Sequence, residues 1–583
     1  MYYLRFYSLG FLLLAANPAT VTAFTATGSA ANVAAATDPA VAYPGPKQSG
    51  AAEGSHPSYI WPLASSSTAT PNCNKVQYNF PSGTNSNTSR ADAVKNLYRR
   101  SWDQYAEYCF GSDQILTLTN TCADDIFGWG ATIVDGIDTA ILMNLTDIVE
   151  QQLAHIAATD YTTANSLVDG FDAIIRYLGG LLSAYDILKS GYVPEGTYNQ
   201  TNVDALLTQA KILGDKLKVQ FDTPSGLPTS EINFTTNEPI NSQYTSSLNN
   251  VTYNATNAAV AGTIVLEFAR LSDLTGDESF LELALKAEGN LIFPNPAPVW
   301  PGLVGSELDI ETGNYLTFDF GWHSQIDSFL EYLIKTYYYK PESAAFSVMK
   351  DFWVSTAEST IKHIALHPYN HPELTFISAG DVEGNIEWSG DDYSCFAGGN
   401  LLLGGVFLGR QDITDLGVAF TDACHLFYNT TVTGLGPLGF AWYNASNDAY
   451  EESWNTNETY REMAEEFGYF IPEGNEQWDS FPESIESIFY AYRITGDSKW
   501  QGYNWEIFES VAKQSEAGVP AAPISNVEVN YSFISELPSY YFAEVLKYLF
   551  LSFVDPEIIN LDDWVFNTEC HPIIRNAGSC GTD

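Results

Sequence analysis

Apolar residues recur at three- and four-residue spacing along most of the chain, the period of a helix that buries one face. Segment 166–189 (SLVDGFDAIIRYLGGLLSAYDILK) shows it, as do 257–271, 278–291, 325–338, 343–363, 412–428, 482–494 and 538–552. Gly, Pro, Asn and Asp clusters separate these segments, as turns require. Strand-like runs are short, as in ELTFIS at 373–378. There is no strand–helix alternation, GxGxxG motif or phosphate loop, so a doubly wound sheet is not predicted. The pattern predicts an all-α protein of helical hairpins packed as a toroid, with regular structure beginning near Ala91.

The N-terminus changes this picture first. It reads MYYLRFYSLGFLLLAANPATVTA, with Arg5 before a short apolar run and small residues after it. Residues 1–23 therefore read as a secretory signal peptide, with an uncleaved signal anchor as the rival. Residues 24–75 are rich in Ala, Ser, Thr, Pro and Gly and read as a flexible leader. Residues 76–583 are left as one large domain. No other run is long and apolar enough to cross a bilayer, so stable membrane insertion after signal removal is not expected. Ten Asn-x-Ser/Thr sequons between Asn87 and Asn530 predict a glycoprotein. The seven cysteines (73, 109, 122, 395, 424, 570 and 580) have no zinc-type spacing, and in an oxidising compartment some should pair. Cys570 and Cys580 are close enough in sequence to form a disulfide loop.

Charge narrows the function. Acidic residues number 71 against 25 basic ones, a net charge of −46. Such a surface opposes nucleic acid and anionic lipid, and suits a neutral ligand such as a sugar. The histidines form no HExxH motif and no GxSxG is present, so zinc and serine hydrolase chemistry are not supported.

Three acidic or polar constellations remain. Asp327 and Glu331 stand at i and i+4 within apolar neighbours, which puts both carboxylates on one helix face. Lys335 is the ordinary ion-pair partner for Glu331 at that spacing. Pro482 opens a helix that carries Glu483 and Glu486 in its first turn, where carboxylates also simply complement the helix dipole. Asn567-Thr568-Glu569-Cys570-His571-Pro572 offers a threonine whose hydroxyl and carbonyl suit a hard cation such as calcium.

In order, these segments resemble glycoside hydrolase family 47, the class I α-1,2-mannosidases, in a divergent, secreted fungal form. Gly128 to Met143 (GWGATIVDGIDTAILM) is similar to the family's first core motif. Phe171-Asp172 through Arg176 to Leu181 is similar to the second, with Asp172 where Glu is usual. Asp327 to Leu333, Pro482 to Ser487, Phe542 to Tyr548 and Asn567 to Pro572 resemble its DS-aromatic-x-EYL, PE-x-x-ES, AETLKY and NTEAHP motifs. The resemblance covers about residues 90–575. It implies an (α/α)7 barrel with short β-hairpins and a Cys395–Cys424 disulfide. It implies calcium held by Thr568, with carboxylate-held waters and sugar hydroxyls completing the shell. It also implies inverting hydrolysis of α-1,2-linked mannose on high-mannose N-glycans by a monomer of the secretory pathway, extracellular or in the cell wall. Glu483 matches the general base and Asp327 an essential acid. Glu331, Glu486, Glu544, Asp391 and Arg176 match substrate-facing positions, and Glu569 a pocket or calcium-shell carboxylate.

The chain also departs from that family. Gln114 stands where the resemblance places a proton-donating Glu, and Leu438 where it places another acid. Phe481 replaces an arginine, Pro538 a glutamate, and Asp391-Asp392 a Gln-His-type pair. Three expectations follow: an active α-1,2-mannosidase with Asp327 as replacement acid, a catalytically silent calcium-dependent mannose-binding protein on the same barrel, or a glycosidase of another linkage.

Overall fold

The computed structural model describes residues 72–81, 87–515 and 522–578. The signal peptide and nearly all of the leader lie outside these residues, as does Cys580.

Fourteen helical segments alternate between an outer and an inner layer among the described residues. The outer helices are α1 (Thr88–Cys109), α3 (Thr146–Ala158), α5 (Gln200–Leu217), α7 (Ser279–Ile292), α9 (Ala344–Ser359), α11 (Gln411–Asn429) and α13 (Ser498–Gln514). The inner ones are α2 (Ile137–Leu142), α4 (Gly179–Lys189), α6 (Val265–Thr275), α8 (Asp327–Tyr339), α10 (Phe396–Leu408), α12 (Glu483–Thr495) and α14 (Leu546–Phe553). From α2 to α13 each even-numbered helix runs into the odd-numbered one that follows, and α14 packs against α1, giving the hairpins of an (α/α)7 barrel, as expected. No helix among the described residues is long and apolar enough to cross a membrane.

The two layers differ for a physical reason. Outer helices bury one stripe: α9 buries Phe346, Met349, Trp353 and Ala357 at helical spacing. The inner helices α8 and α14 are enclosed all round: every residue of α14 is buried, as is every residue of α8 after Asp327. Several outer helices start at a polar cap. Asn87 accepts from the Arg90 N–H, Asn199 from Thr201 and Ser343 from Phe346. By contrast, α8, α10 and α12 start without any side-chain cap. Asp327 on α8, and Glu483 and Glu486 on α12, occupy first turns. There the helix dipole favours negative charge.

Among the described residues, strands are short and antiparallel, in sheets of two or three strands. The expected strand at 373–378 shrinks to Phe376–Ile377, paired with Ala365–Leu366. Gln114–Leu116 pairs with Thr121–Ala123 and with Glu536–Leu537. Ser389–Asp391 pairs with Gly439–Ala441, and Trp564–Phe566 with Pro572–Ile574.

Cys395 and Cys424 are bonded, joining the start of α10 to α11, as expected. Cys109 and Cys122 form a second disulfide. Cys73 is also disulfide-bonded. Cys570, read as able to pair with Cys580, is instead a free, fully buried thiol. It sits in a hairpin turn at φ 60°, packed under the barrel beside α14, out of reach of the surface.

Candidate active site

The site is built from a floor and a cup. The floor is the turn Asn567–His571, carried between Trp564–Phe566 and Pro572–Ile574. Asn567 folds the turn on itself: its Oδ1 accepts from the Glu569 and His571 N–H groups. Its Nδ2 donates to the Ile175 carbonyl and to Glu267 of α6, both at 2.9 Å. The Thr568 N–H donates to the Tyr332 hydroxyl of α8 at 3.2 Å, and Tyr332 in turn donates to Glu267. His571 lies between Asp138, 2.8 Å away on α2, and Asp135, 3.3 Å away. Lys547 of α14 donates to Asp138 at 2.9 Å and to the Cys570 carbonyl at 2.6 Å. Burial alone would raise the Asp138 carboxyl, but Lys547 and His571 beside it bring it down to about 2. The turn is thus tied to inner segments on several sides.

Arg176 joins floor to cup. It is buried in a π-helical turn, Ala173–Leu178, that leads into α4. Its Nε donates to Asp172 at 3.0 Å, and its Nη1 bonds to Glu569 and lies 3.5 Å from Asp135. Its guanidinium also stands 5.3 Å from the ring of Tyr540. Above it, Lys335 of α8 bonds to Glu331 and reaches Glu486 of α12 at 3.3 Å. The i,i+4 ion pair expected between Glu331 and Lys335 is therefore present, but buried rather than solvated.

The remaining carboxylates are less well compensated. Asp327 is bonded through Oδ1 to the Ser328 N–H at 2.7 Å. Burial first, then the Asp391 charge, push its carboxyl up to about 7, with His323 opposing. Burial pushes Glu486 up to about 7 despite Lys335, and Glu569 up to about 8 despite Arg176. Glu544, in a second π-helical turn (Tyr541–Val545), is raised well above the usual carboxylate range by burial and then by Glu569, Glu483 and Glu486. Glu483 is raised well above that range too, by burial and then by the charges of Asp392, Glu486 and Asp327. Among the described residues, its Oε2 is shut off from solvent and has no hydrogen-bond partner. Asp327, Glu483, Glu486, Glu544 and Glu569 thus lie close enough for their charges to act on one another, and this group is the cup; Thr568 adjoins Glu569 in the floor turn.

The departures have structural explanations. Gln114 is 1 % exposed, and its amide donates to Asp125 at 3.0 Å and Glu536 at 3.1 Å. An amide can satisfy two acceptors in this way, whereas a third carboxylate would repel both. Leu438 packs on the core, and its carbonyl accepts from the Asp392 N–H at 2.8 Å. Phe481 is buried against the Tyr393 ring, 5.1 Å away. Asp172 was legible only as part of a motif, and the structure makes it the carboxylate that orients Arg176. The π turns beneath Arg176 and Glu544 had no sequence signal; such turns are frequent at functional sites.

No group of three or more His, Cys, Asp or Glu that could hold a metal is assembled among the described residues. Thr568 still offers calcium a suitable foothold. Only its N–H is engaged, leaving its hydroxyl and carbonyl oxygens unbonded among the described residues. Hard cations accept just such oxygens, with water completing the shell. The surplus of buried carboxylates over Arg176 and Lys335 also favours a cation there.

Comparisons with known proteins agree with this architecture. Residues 97–575 match the family model of glycosyl hydrolase family 47. The chain is 40 % identical over 530 residues to a probable mannosyl-oligosaccharide alpha-1,2-mannosidase 1B of Aspergillus clavatus, covering 88 % of this chain and 98 % of that one. It is 37 % identical over 520 residues to the mannosyl-oligosaccharide alpha-1,2-mannosidase 1B of Aspergillus phoenicis, covering 88 % and 96 %. The solved alpha-1,2-mannosidase of Trichoderma reesei superposes with a TM-score of 0.77 at 35 % identity, over 84 % of this chain and 100 % of that one. With a barrel of inner and outer helices, a cluster of buried carboxylates and a family match over most of its length, this chain is an enzyme of glycosyl hydrolase family 47.

Proposed function

We propose that the chain is a calcium-dependent, inverting α-1,2-mannosidase that trims mannose from N-glycans in the secretory pathway or outside the cell. The observation that carries this is Glu483. A buried carboxylate oxygen without a partner costs stability unless a ligand uses it. Inversion needs one carboxylate to take a proton from water and a second carboxyl, roughly 6.5–9.5 Å away, to give one to the departing oxygen. Glu483 is the base in this reading. Asp327, pushed up to about 7, keeps its proton near neutrality and is the acid. Gln114 has no part in the chemistry, since its amide is committed to Asp125 and Glu536.

Thr568 would hold calcium through its hydroxyl and carbonyl, and Glu331, Glu486, Glu544 and Glu569 would orient waters or sugar hydroxyls around it. Bound there, the ion supplies a grip on the terminal sugar's hydroxyls and offsets carboxylate charge. Arg176 and Lys335 keep those carboxylates in place.

The test is release of mannose from an α-1,2-linked mannobiose and from a high-mannose N-glycan, with calcium and with chelator. Calcium-dependent release of the β-anomer is expected. Binding without release would instead make the protein a mannose-binding barrel. Release only from another linkage would overturn the α-1,2 assignment.

A further inference from the structure

We propose that a pocket between Tyr369 and Arg461, on the rim of the barrel, is an auxiliary carbohydrate site. It holds a neutral sugar unit of the same glycan whose terminal mannose enters the cup. This inference rests on the reading of the chain as an N-glycan mannosidase.

Topology puts this pocket at the end of the barrel where the cup lies. Asp327 and Glu483 stand in the first turns of α8 and α12, so segments that run from an outer helix to the next inner one arrive on the cup side. The pocket is lined from two such segments, one between α9 and α10 and one between α11 and α12. Near the cup the two are paired: Asp391 lies opposite Gly439, and it accepts from the N–H of Ser324, three residues before Asp327. Tyr443, in the wall of the pocket, is four residues beyond Gly439, so the chain keeps it within about 14 Å of that pair. A few linked sugar units span such a distance.

The walls are fixed by direct bonds. The Tyr369 N–H donates to the Tyr443 carbonyl at 3.0 Å, and the His371 Nε2 donates to the Glu465 carbonyl at 3.1 Å. Tyr443 and Phe470, with Trp454 and Tyr460 packed on them, belong to an apolar cluster separate from the main core. The Asn455 carbonyl accepts from both the Nε and the Nη2 of Arg461 and so aims its guanidinium. The Arg461 Nη1 has no partner among the described residues, nor do the side chains of Asn370, Asn447 and Glu465. The Tyr369 ring is 49 % exposed and packs on no other ring among the described residues. Between these groups lies about 360 Å³ of space, open to solvent. Sugar hydroxyls both donate and accept, which matches a guanidinium and two amides beside a carboxylate. The face of a tyrosine ring suits the C–H face of a pyranose and tolerates water at its edge. Arg461 is the sole cation lining the pocket, and Glu458, Glu462, Glu465 and Glu466 share its helix, so an anionic ligand is repelled.

The test titrates a high-mannose N-glycan by calorimetry into Glu483→Gln protein with chelator present, so that neither cleavage nor a calcium-held sugar contributes. Binding should persist there and weaken about tenfold when Tyr369→Ala or Arg461→Ala is added. In the active protein, Tyr369→Ala should lower the ratio of kcat/KM for that glycan to kcat/KM for α-1,2-mannobiose by a similar factor. Binding far from the scissile bond counts only for a ligand long enough to reach it. Glycan binding unchanged by both variants overturns the inference, as does a ratio that stays put in a protein that turns over both substrates. Binding that appears only after Ser446→Ala removes the nearby Asn444 sequon would give the pocket to the protein's own glycan and overturn it too. Binding that needs Tyr369 in a protein that turns over no mannoside would support the pocket while removing the trimming assignment.

Discussion

The floor and the cup hold the same kind of residue under opposite conditions. Asp138 and Glu483 are both carboxylates on inner segments. Asp138 is met by Lys547, His571 and the Ser183 hydroxyl, and its carboxyl falls to about 2. Glu483 is met by other carboxylates, and one of its oxygens has no partner. The floor spends its charges on holding the Asn567–His571 turn in place. The cup leaves its charges unbalanced, which a fold tolerates where a ligand or a reaction completes them. Stability and activity should therefore separate cleanly between the two regions.

The strongest test of that separation is Glu483→Gln. It should lower kcat/KM by ~10²–10⁴-fold, the typical share of a general base, while leaving the midpoint of thermal unfolding unchanged or raised. A loss of stability alongside activity would mean that Glu483 is structural and the contrast is false. Lys547→Met is the converse. It strands Asp138 beside His571 in the core and should cost ~3–5 kcal/mol in denaturant unfolding. If the variant is as stable as wild type, the floor network is not what holds the turn.

The smallest effect expected is the pH dependence of Asp138. Its folded carboxyl, at about 2, lies below the ordinary value of 3.8. The stabilisation is therefore complete above pH 4 and is lost as pH falls through about 2. Its size is ~2 kcal/mol. Unfolding free energy measured from pH 5 to pH 2 should fall by that much more in wild type than in Asp138→Asn. Parallel curves would show that Lys547 and His571 do not hold this charge in solution.

Sequence reading reached unevenly into this molecule, for physical reasons. The i,i+4 spacing of Asp327 and Glu331 and the Pro482 start of α12 placed four cup carboxylates on helices before any coordinates, because each is local. The α10 helix went unread because Phe396–Leu408 is apolar on all sides, and a helix enclosed all round has no period to detect. The pairing of Gln114–Leu116 with Glu536–Leu537 joins segments more than 400 residues apart, which no local pattern encodes. Gln114 read as a missing acid because a motif records a residue type, whereas its bonds to Asp125 and Glu536 are set by that distant pairing. The balance between floor and cup was equally hidden: Lys547, His571 and Asp138 lie on three separate segments, and only folding brings them into one bonded group.

The hairpin that forms the floor follows every helix of the ring in chain order. During synthesis the ring's helices can therefore emerge before the stopper that seals one end exists. Until Asn567 arrives, the Ile175 carbonyl and Glu267 lack the amide that bridges them, and Asp138 lacks its imidazole. A nascent chain halted before Trp564 would leave these interior charges without their partners.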